Sequence, residues 1–317
     1  MDALFEKLKQ TITAADTIAV VCHQRPDADA LGALGACVKH LRSLGKEAYG
    51  YCLDEIPSTL YFLPYLDDVK HEIDDCFETA SLYLVIDSSD LRITGVPASA
   101  LAGKPVAVID HHVSNIGYGS LNVVQHRASA TAQIVYEYFS FINYSIDKAS
   151  ATCLLAGIYT DTDAFSNLAT TPASLSAASE LLKLGGNLRE ITANTMQNKS
   201  IASLKLWGRA LERLRLDKEK GIAVTVIKQD DVAECQARPE DMEGVANLLN
   251  HLADVKMAMV LREQTDGTVK GSLRTTNELI DVSKVATLLG GGGHAKAAGF
   301  TVAGRIVETE QGWKIVE

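Results

Sequence analysis

The chain has 317 residues, 47% of them hydrophobic, and a formal net charge of −10. This length is typical of two domains, and the acidic balance excludes a protein that binds long nucleic acid through a basic face. The six cysteines form no CxxC pair, so we expect reduced thiols and a cytoplasmic protein. We find no cationic-then-apolar pattern typical of a signal peptide. Because no apolar run approaches the ~18 residues of a membrane span, we expect no membrane partner.

The chain opens with an amphipathic helix over residues 4–12 and a buried strand over residues 17–22. His23 follows this strand directly. Asp27 and Asp29 then stand at the start of the next helix, where either carboxylate can cap the first turn. A capping loop would account for the two aspartates, whereas a histidine four residues before Asp27 is less common in such a loop.

Two further apolar strands end in polar residues. One runs into Asp87, and the other, residues 106–109, runs into Asp110, His111 and His112. A short continuous apolar run is typical of a strand buried on both faces of a parallel sheet. Because ligand sites of such sheets lie just past the carboxyl ends of the strands, the sequence predicts a polar site at that edge.

Helical patterns cover residues 129–141 and 148–160, and the second ends at Asp161. A charged helix over residues 200–216 is interpreted as a connector, after which the pattern becomes α+β. Strands are expected at 222–227, 255–262 and 269–275, and helices at 240–252 and 281–289. We therefore predict an α/β protein with a parallel-sheet domain at 1–198, a helical linker at 199–217 and a smaller α+β domain at 218–317.

The polar residues at the strand and helix ends suggest a metal site. If their four carboxylates converge, they repel one another unless cations lie between them. Two divalent ions would balance the charge, and imidazole with carboxylate suits Mn²⁺, Fe, Co or Zn²⁺. Two metals about 3.5–4 Å apart can clamp a phosphoryl group and hold a bridging hydroxide. A general acid–base pair of carboxylates is the alternative, and it leaves the histidines without a role. The candidate ligands are His23, Asp27, Asp29, Asp87, His111 and Asp161.

Four glycines at 290–293, followed by His294, are the main feature of the C-terminal half. Glycine lets a ligand approach the backbone, and successive N–H groups can cradle an anion. We expect a helix to begin at Ala295, with an N-terminus that favours phosphate. A flexible loop would explain the glycines alone, and the neighbouring elements favour phosphate. Arg274 can form a bidentate phosphate contact, although a surface position suits its spacing equally.

Together these motifs resemble the DHH phosphoesterase family with a C-terminal DHHA1 substrate domain. The resemblance spans most of the chain, and the FLP segment at 62–64 is most similar to the nano-RNase A branch. Members of that branch remove nucleotides from very short RNAs and dephosphorylate 3′-phosphoadenosine 5′-phosphate. The matching motifs are HQRPDADALG (23–32), VIDSSD (85–90), VIDHH (108–112), GIYTDTDAF (157–165) and GGGGHAKAAG (290–299).

The resemblance implies a role for each matched residue. One metal would be bound by His23, Asp27 and Asp87, and the other by Asp29, Asp87, His111 and Asp161, so that Asp87 bridges. Asp110 would orient the site and His112 would contact a substrate phosphate. Asp163 departs from the pattern, because many members have glycine there, and this leaves the shape of the substrate entrance open. The nucleotide phosphate would be bound by Arg274, Gly291, Gly292, Gly293 and His294.

The resemblance therefore implies an enzyme that uses two divalent metal ions, with Mn²⁺ expected. Its substrates would be short single-stranded RNA or DNA, or a nucleoside bisphosphate, and not long duplexes. A cyclic di-AMP or pApA phosphodiesterase is the alternative enzyme, and a nucleotide-binding protein without turnover is the alternative of another class. The resemblance leaves open whether the protein forms a homodimer.

Overall fold

The computed structural model describes residues 1–242, 244–253, 255–293, 295–309 and 312–316. The chain divides into two compact units, residues 1–198 and residues 199–317. Each unit has hydrophobic clusters of its own. In the described part of the chain, no helix combines the length and apolar character that crossing a bilayer requires.

The first unit, all of which is described, is built on a five-stranded parallel sheet of order β2-β1-β3-β4-β5. All five residues of β3 are buried, as expected of a strand covered on both faces. Because β1, β3 and β4 are neighbours, the residues that follow them meet at one edge. The strands are β1 (Thr17–Val21), β2 (Glu47–Tyr51), β3 (Leu82–Ile86), β4 (Val106–Asp110) and β5 (Leu121–Val124).

Helices pack around this sheet. Helices α2 and α5 pack closely, because Gly32 of α2 lies against the backbone of Cys153 with no room for a Cβ. This close approach carries the start of α2 and the end of α5 to the same edge of the sheet. The helices are α1 (Asp2–Ala14), α2 (Ala28–Ser43), α3 (Asp75–Glu78), α4 (Thr131–Phe141), α5 (Lys148–Asp161), α6 (Pro172–Lys183) and α7 (Leu188–Thr195).

The described residues of the second unit form a six-stranded mixed sheet of order β10-β11-β9-β8-β7-β6, in which β7 and β8 run parallel. A hairpin of β12 and β13 follows. The helices are α8 (Ile201–Glu212), α9 (Gln229–Glu234), α10 (Val245–Leu248) and α11 (Val282–Leu288). The strands are β6 (Arg215–Asp217), β7 (Ile222–Ile227), β8 (Met257–Glu263), β9 (Thr268–Arg274), β10 (Gly292–Gly293), β11 (Ala297–Ala303), β12 (Arg305–Thr309) and β13 (Gly312–Val316).

The predicted fold class, a parallel-sheet domain followed by a smaller α+β domain, is confirmed. Three local predictions in the second unit differ from the structure. The helix expected from Ala295 is the strand β11, because small residues there pair antiparallel with β9 along its whole length. The helix expected over residues 240–252 is broken into 3₁₀ turns and the single-turn helix α10. The charged helix expected at 200–216 ends at Glu212 and packs through Leu206 within the second unit.

Candidate metal centre

The carboxyl edge of the first sheet brings together all six candidate ligands. Among the described residues, three groups have ligand atoms that lie within 4.8 Å of one another. Asp87 belongs to two of the groups and so does His111. The groups are His23 with Asp27 and Asp87, Asp29 with His111 and Asp161, and Asp87 with His111 and His112.

Local structure fixes the first two aspartates at the start of α2. Asp27 is the N-cap and accepts hydrogen bonds from the backbone N–H groups of Asp29 and Ala30, both at 3.0 Å. The same residue thus serves as the cap and lies beside His23, so the two interpretations of this loop are compatible. Asp29 is fully buried and points away from its own helix towards α4.

Asp87 lies between the groups with one carboxylate oxygen towards each. Its Oδ2 is 3.4 Å from His23 Nε2, and its Oδ1 is 3.7 Å from His111 Nε2. Burial alone would raise the pKa of the Asp87 carboxyl, but the surrounding histidines hold this pKa well below its usual range. A buried carboxylate that stays charged and faces both ways has the geometry of a shared ligand.

Two further carboxylates, the fully buried Asp29 and the partly buried Asp161, lie among like charges without enough positive charge to balance them. Burial, together with the charges of neighbouring aspartates, raises the pKa of Asp29 and of Asp161 well above the usual value. Burial opposes a charged His23, yet its hydrogen bond to Asp87 and the charge of Asp27 raise its pKa to about 10. A divalent cation would remove this penalty by stabilising the ionised carboxylates. The donor set therefore fits a divalent metal of borderline character.

A second network supports His112. Its Nδ1 is 2.7 Å from Oδ1 of the fully buried Asp110, whose Oδ2 accepts a hydrogen bond from Asn115 Nδ2 at 2.6 Å. Burial opposes a charged His112, but Asp110 and Asp87 raise its pKa. Asn115 is not among the site residues predicted from the sequence. The sequence feature that could have identified it is its position five residues after Asp110, in the loop that follows β4.

The turn after Asp161 has an unusual backbone. Asp163, Ala164 and Phe165 have φ values of 49°, 57° and 64°, in the left-handed region where glycine is favoured. Glycine adopts this conformation without strain, whereas Asp163 adopts it with a β-carbon. The side chain of Asn167 donates to the Asp161 carbonyl at 2.7 Å, which ties the turn to the end of α5.

In the second unit, close packing against β11 requires glycine at two positions of the glycine run. Gly291 and Gly293 pass so close to β11 that neither position has room for a Cβ, and Gly293 has φ 135°. Arg274 donates from Nε to Asn247 Oδ1 at 2.9 Å and from Nη1 to the Leu273 carbonyl at 3.0 Å. Gly292 has no atom within 4 Å of the place a Cβ would take, and His294 lies outside the described residues.

These features define the class of protein, which is an α/β protein with a cluster of carboxylates and imidazoles of metal-ligating type at its strand ends. Residues 17–158 match the N-terminal domain of the DHH family, and residues 219–311 match the DHHA1 domain. The chain is 32% identical over 288 residues to the bifunctional oligoribonuclease and PAP phosphatase NrnA of Thermus thermophilus, covering 90% of this chain and 84% of that protein. The chain therefore belongs to the DHH family of phosphoesterases, as its motifs indicated.

Two solved structures share the fold. An exopolyphosphatase-related protein of Bacteroides fragilis has a TM-score of 0.88 at 24% identity, over 95% of this chain and 91% of that one. RecJ of Thermus thermophilus in complex with Mn²⁺ has a TM-score of 0.53 at 15% identity, over 94% of this chain and 51% of that one. At these identities the likeness concerns the fold alone.

Proposed function

We propose that the protein is a two-metal phosphoesterase that hydrolyses short oligoribonucleotides and 3′-phosphoadenosine 5′-phosphate. The observation that carries the proposal is the position of Asp87, with Oδ2 on the His23 side and Oδ1 on the His111 side. The name of the Thermus relative supports the substrate class. The Mn²⁺ complex of RecJ supports manganese as the first ion to test.

The proposed ligands divide between two positions. One set is His23, Asp27 and Asp87, and the other is Asp29, Asp87, His111 and Asp161. When bound, two divalent ions supply Lewis acidity and a hydroxide at neutral pH. Asp27 and Asp29 are held by the start of α2, and Asp161 by the end of α5, so the chain presents its ligands from rigid elements.

His112 and Asp110 have a separate task in this proposal. Asp110 accepts from Nδ1 of His112, which fixes the ring orientation and favours the imidazolium. A contact with a substrate phosphate would then be made through the second ring nitrogen, Nε2. A charge-assisted hydrogen bond of this kind is roughly twice as strong as a neutral one.

We also propose that Arg274, Gly291, Gly292, Gly293 and His294 bind a nucleotide phosphate. The hydrogen bond from Arg274 to Asn247 orients the guanidinium. The domain assignment, with a catalytic domain at 1–198, a linker at 199–217 and a substrate-binding domain at 218–317, is part of the same proposal.

A hydrolysis assay with chromatographic analysis of the products tests the function, because 3′-phosphoadenosine 5′-phosphate would release inorganic phosphate whereas RNA and cyclic di-AMP would release nucleotides. The protein would be stripped with EDTA and assayed with added Mn²⁺ on 3′-phosphoadenosine 5′-phosphate, RNAs of two to five nucleotides and cyclic di-AMP. We expect no hydrolysis after stripping, and recovery with Mn²⁺ on the first two substrates. Full activity at a measured metal content of zero would overturn the two-metal mechanism. Preference for cyclic di-AMP would replace the substrate assignment, and tight binding without turnover would make the protein a nucleotide-binding protein.

A further inference from the structure

We infer that Thr131 is a positioning residue that holds the shared carboxylate Asp87 in the orientation needed to reach both metal positions. The inference rests on the proposed two-metal function and adds a residue outside the ligand set. Thr131 is the first residue of α4 and is fully buried. Its hydroxyl Oγ1 donates to Asp87 Oδ1 at 2.8 Å.

The backbone at the same place holds a second carboxylate. The Thr131 N–H donates to Asp29 Oδ2 at 2.6 Å, and the Ala132 N–H donates to Asp29 Oδ1 at 2.8 Å. The N-cap residue of α4, Ala130, has no side chain that could cap the helix. The Asp29 carboxylate, more than a hundred residues earlier in the chain, caps the helix instead. The first turn of α4 thus fixes the shared carboxylate Asp87 and Asp29, which belongs only to the second proposed metal set.

The hydroxyl of Thr131 has a specific consequence for Asp87. A carboxylate can rotate about its last side-chain torsion, which is broad and roughly two-fold. The bond from Thr131 to Oδ1 opposes that rotation, so Oδ2 stays on the His23 side and Oδ1 on the His111 side. Asp87 itself has φ 53°, a conformation that surrounding contacts must maintain. Groups that orient metal ligands in this way commonly contribute 10- to 100-fold to metal affinity.

Two substitutions separate the hydroxyl from the backbone. Thr131→Val keeps the shape and both N–H bonds and removes the donor to Asp87. Thr131→Ser keeps the donor and removes only a methyl group. In calorimetric titration of the stripped protein with Mn²⁺, we expect Thr131→Val to raise the Kd roughly 10- to 100-fold. Thr131→Ser should stay close to the unmodified protein, and saturating Mn²⁺ should restore most of the activity of the valine variant.

Thr225 provides a matched control, because it is a fully buried threonine of the second unit whose hydroxyl donates to the Ala210 carbonyl. Thr225→Val should lower the melting temperature and leave the Mn²⁺ affinity unchanged. Equal affinity for the valine variant and the unmodified protein would overturn the inference, as would equal losses in the valine and serine variants. If Thr131→Val does not fold, the serine variant decides, because the inference requires it to bind Mn²⁺ normally. Failure of the unmodified protein to bind Mn²⁺ would overturn the proposed function, and the inference with it.

Discussion

At the residue scale, Asp87 is the ligand on which both proposed metal positions depend. Asp87→Ala removes a ligand from two of the three groups, whereas His23→Ala removes a ligand from one. We therefore expect Asp87→Ala to lower kcat/KM more than His23→Ala and to release more bound metal. Metal content by elemental analysis, beside phosphate-release kinetics, checks both statements. A smaller loss for Asp87→Ala than for His23→Ala would refute the shared role.

His40 gives a prediction that is independent of the metal site. This histidine is 3% exposed, lies against the rings of Phe139 and Tyr144, and has no hydrogen-bond partner for either ring nitrogen among the described residues. Burial lowers its pKa from 6.5 to about 4. As the pH falls, the unfolded chain therefore binds a proton at His40 at a higher pH than the folded chain does. The contribution of neutral His40 to stability is fully present above about pH 6.5 and is lost towards pH 4.

The expected loss is about 3 kcal/mol between those limits, from 1.36 kcal/mol for each unit of pKa difference. His40→Phe keeps an aromatic ring in place and removes the titration. Urea unfolding from pH 4 to pH 7 should therefore show a shallower acid decline for this variant than for the unmodified protein. Parallel curves for the two proteins would show that His40 does not contribute.

At the element scale, the meeting of α2, α4 and α5 decides where the ligands lie. A Cβ on Gly157 of α5 would lie 2.5 Å from Asp29 Oδ1 and 2.7 Å from the Ala132 Cβ. We expect Gly157→Ala to displace Asp29 from the first turn of α4, to weaken Mn²⁺ binding and to destabilise the fold by about 1–3 kcal/mol. Gly208→Ala on α8 is the control, because nothing lies within 4 Å of its added methyl. It should stabilise by up to about 1 kcal/mol. Similar effects of the two substitutions, measured by urea unfolding and Mn²⁺ titration, would contradict this account.

Elements that have strong local patterns could be predicted from the sequence alone. The strands β1, β3 and β4 are continuous apolar runs, and the polar residue after each could be placed at the sheet edge from the strand alone. The strand β11 could not be recognised, because alanine and glycine carry little preference and pairing with β9 decides. Thr131 was missed for a similar reason, since its partner Asp87 lies 44 residues away in sequence.

At the scale of the whole molecule, the metal ligands and the proposed phosphate contacts other than His112 belong to different parts of the chain. All six candidate ligands lie in the first unit, and Arg274 lies in the second. Arg274→Ala should therefore leave metal content unchanged. It should lower kcat/KM on 3′-phosphoadenosine 5′-phosphate roughly ten- to a hundredfold, because a hydrogen bond to a charged group contributes about 1.5–3 kcal/mol. Bis-p-nitrophenyl phosphate, which has no nucleotide, should be affected much less. Loss of metal, or equal losses on both substrates, would contradict this division.

The net charge of −10 limits the length of substrate that the molecule can use. Affinity for a long strand grows with the number of phosphates that cationic side chains neutralise, and an acidic chain offers few such positions. Each nucleotide beyond the first few should therefore add repulsion from the acidic surface without a new contact. We expect kcat/KM on RNAs of about two to five nucleotides to exceed that on a long single strand at physiological salt. Added salt should reduce the difference, because it screens the repulsion felt by the long strand. Equal kcat/KM on both lengths would instead indicate a processive exonuclease, with phosphate contacts well beyond the site described above.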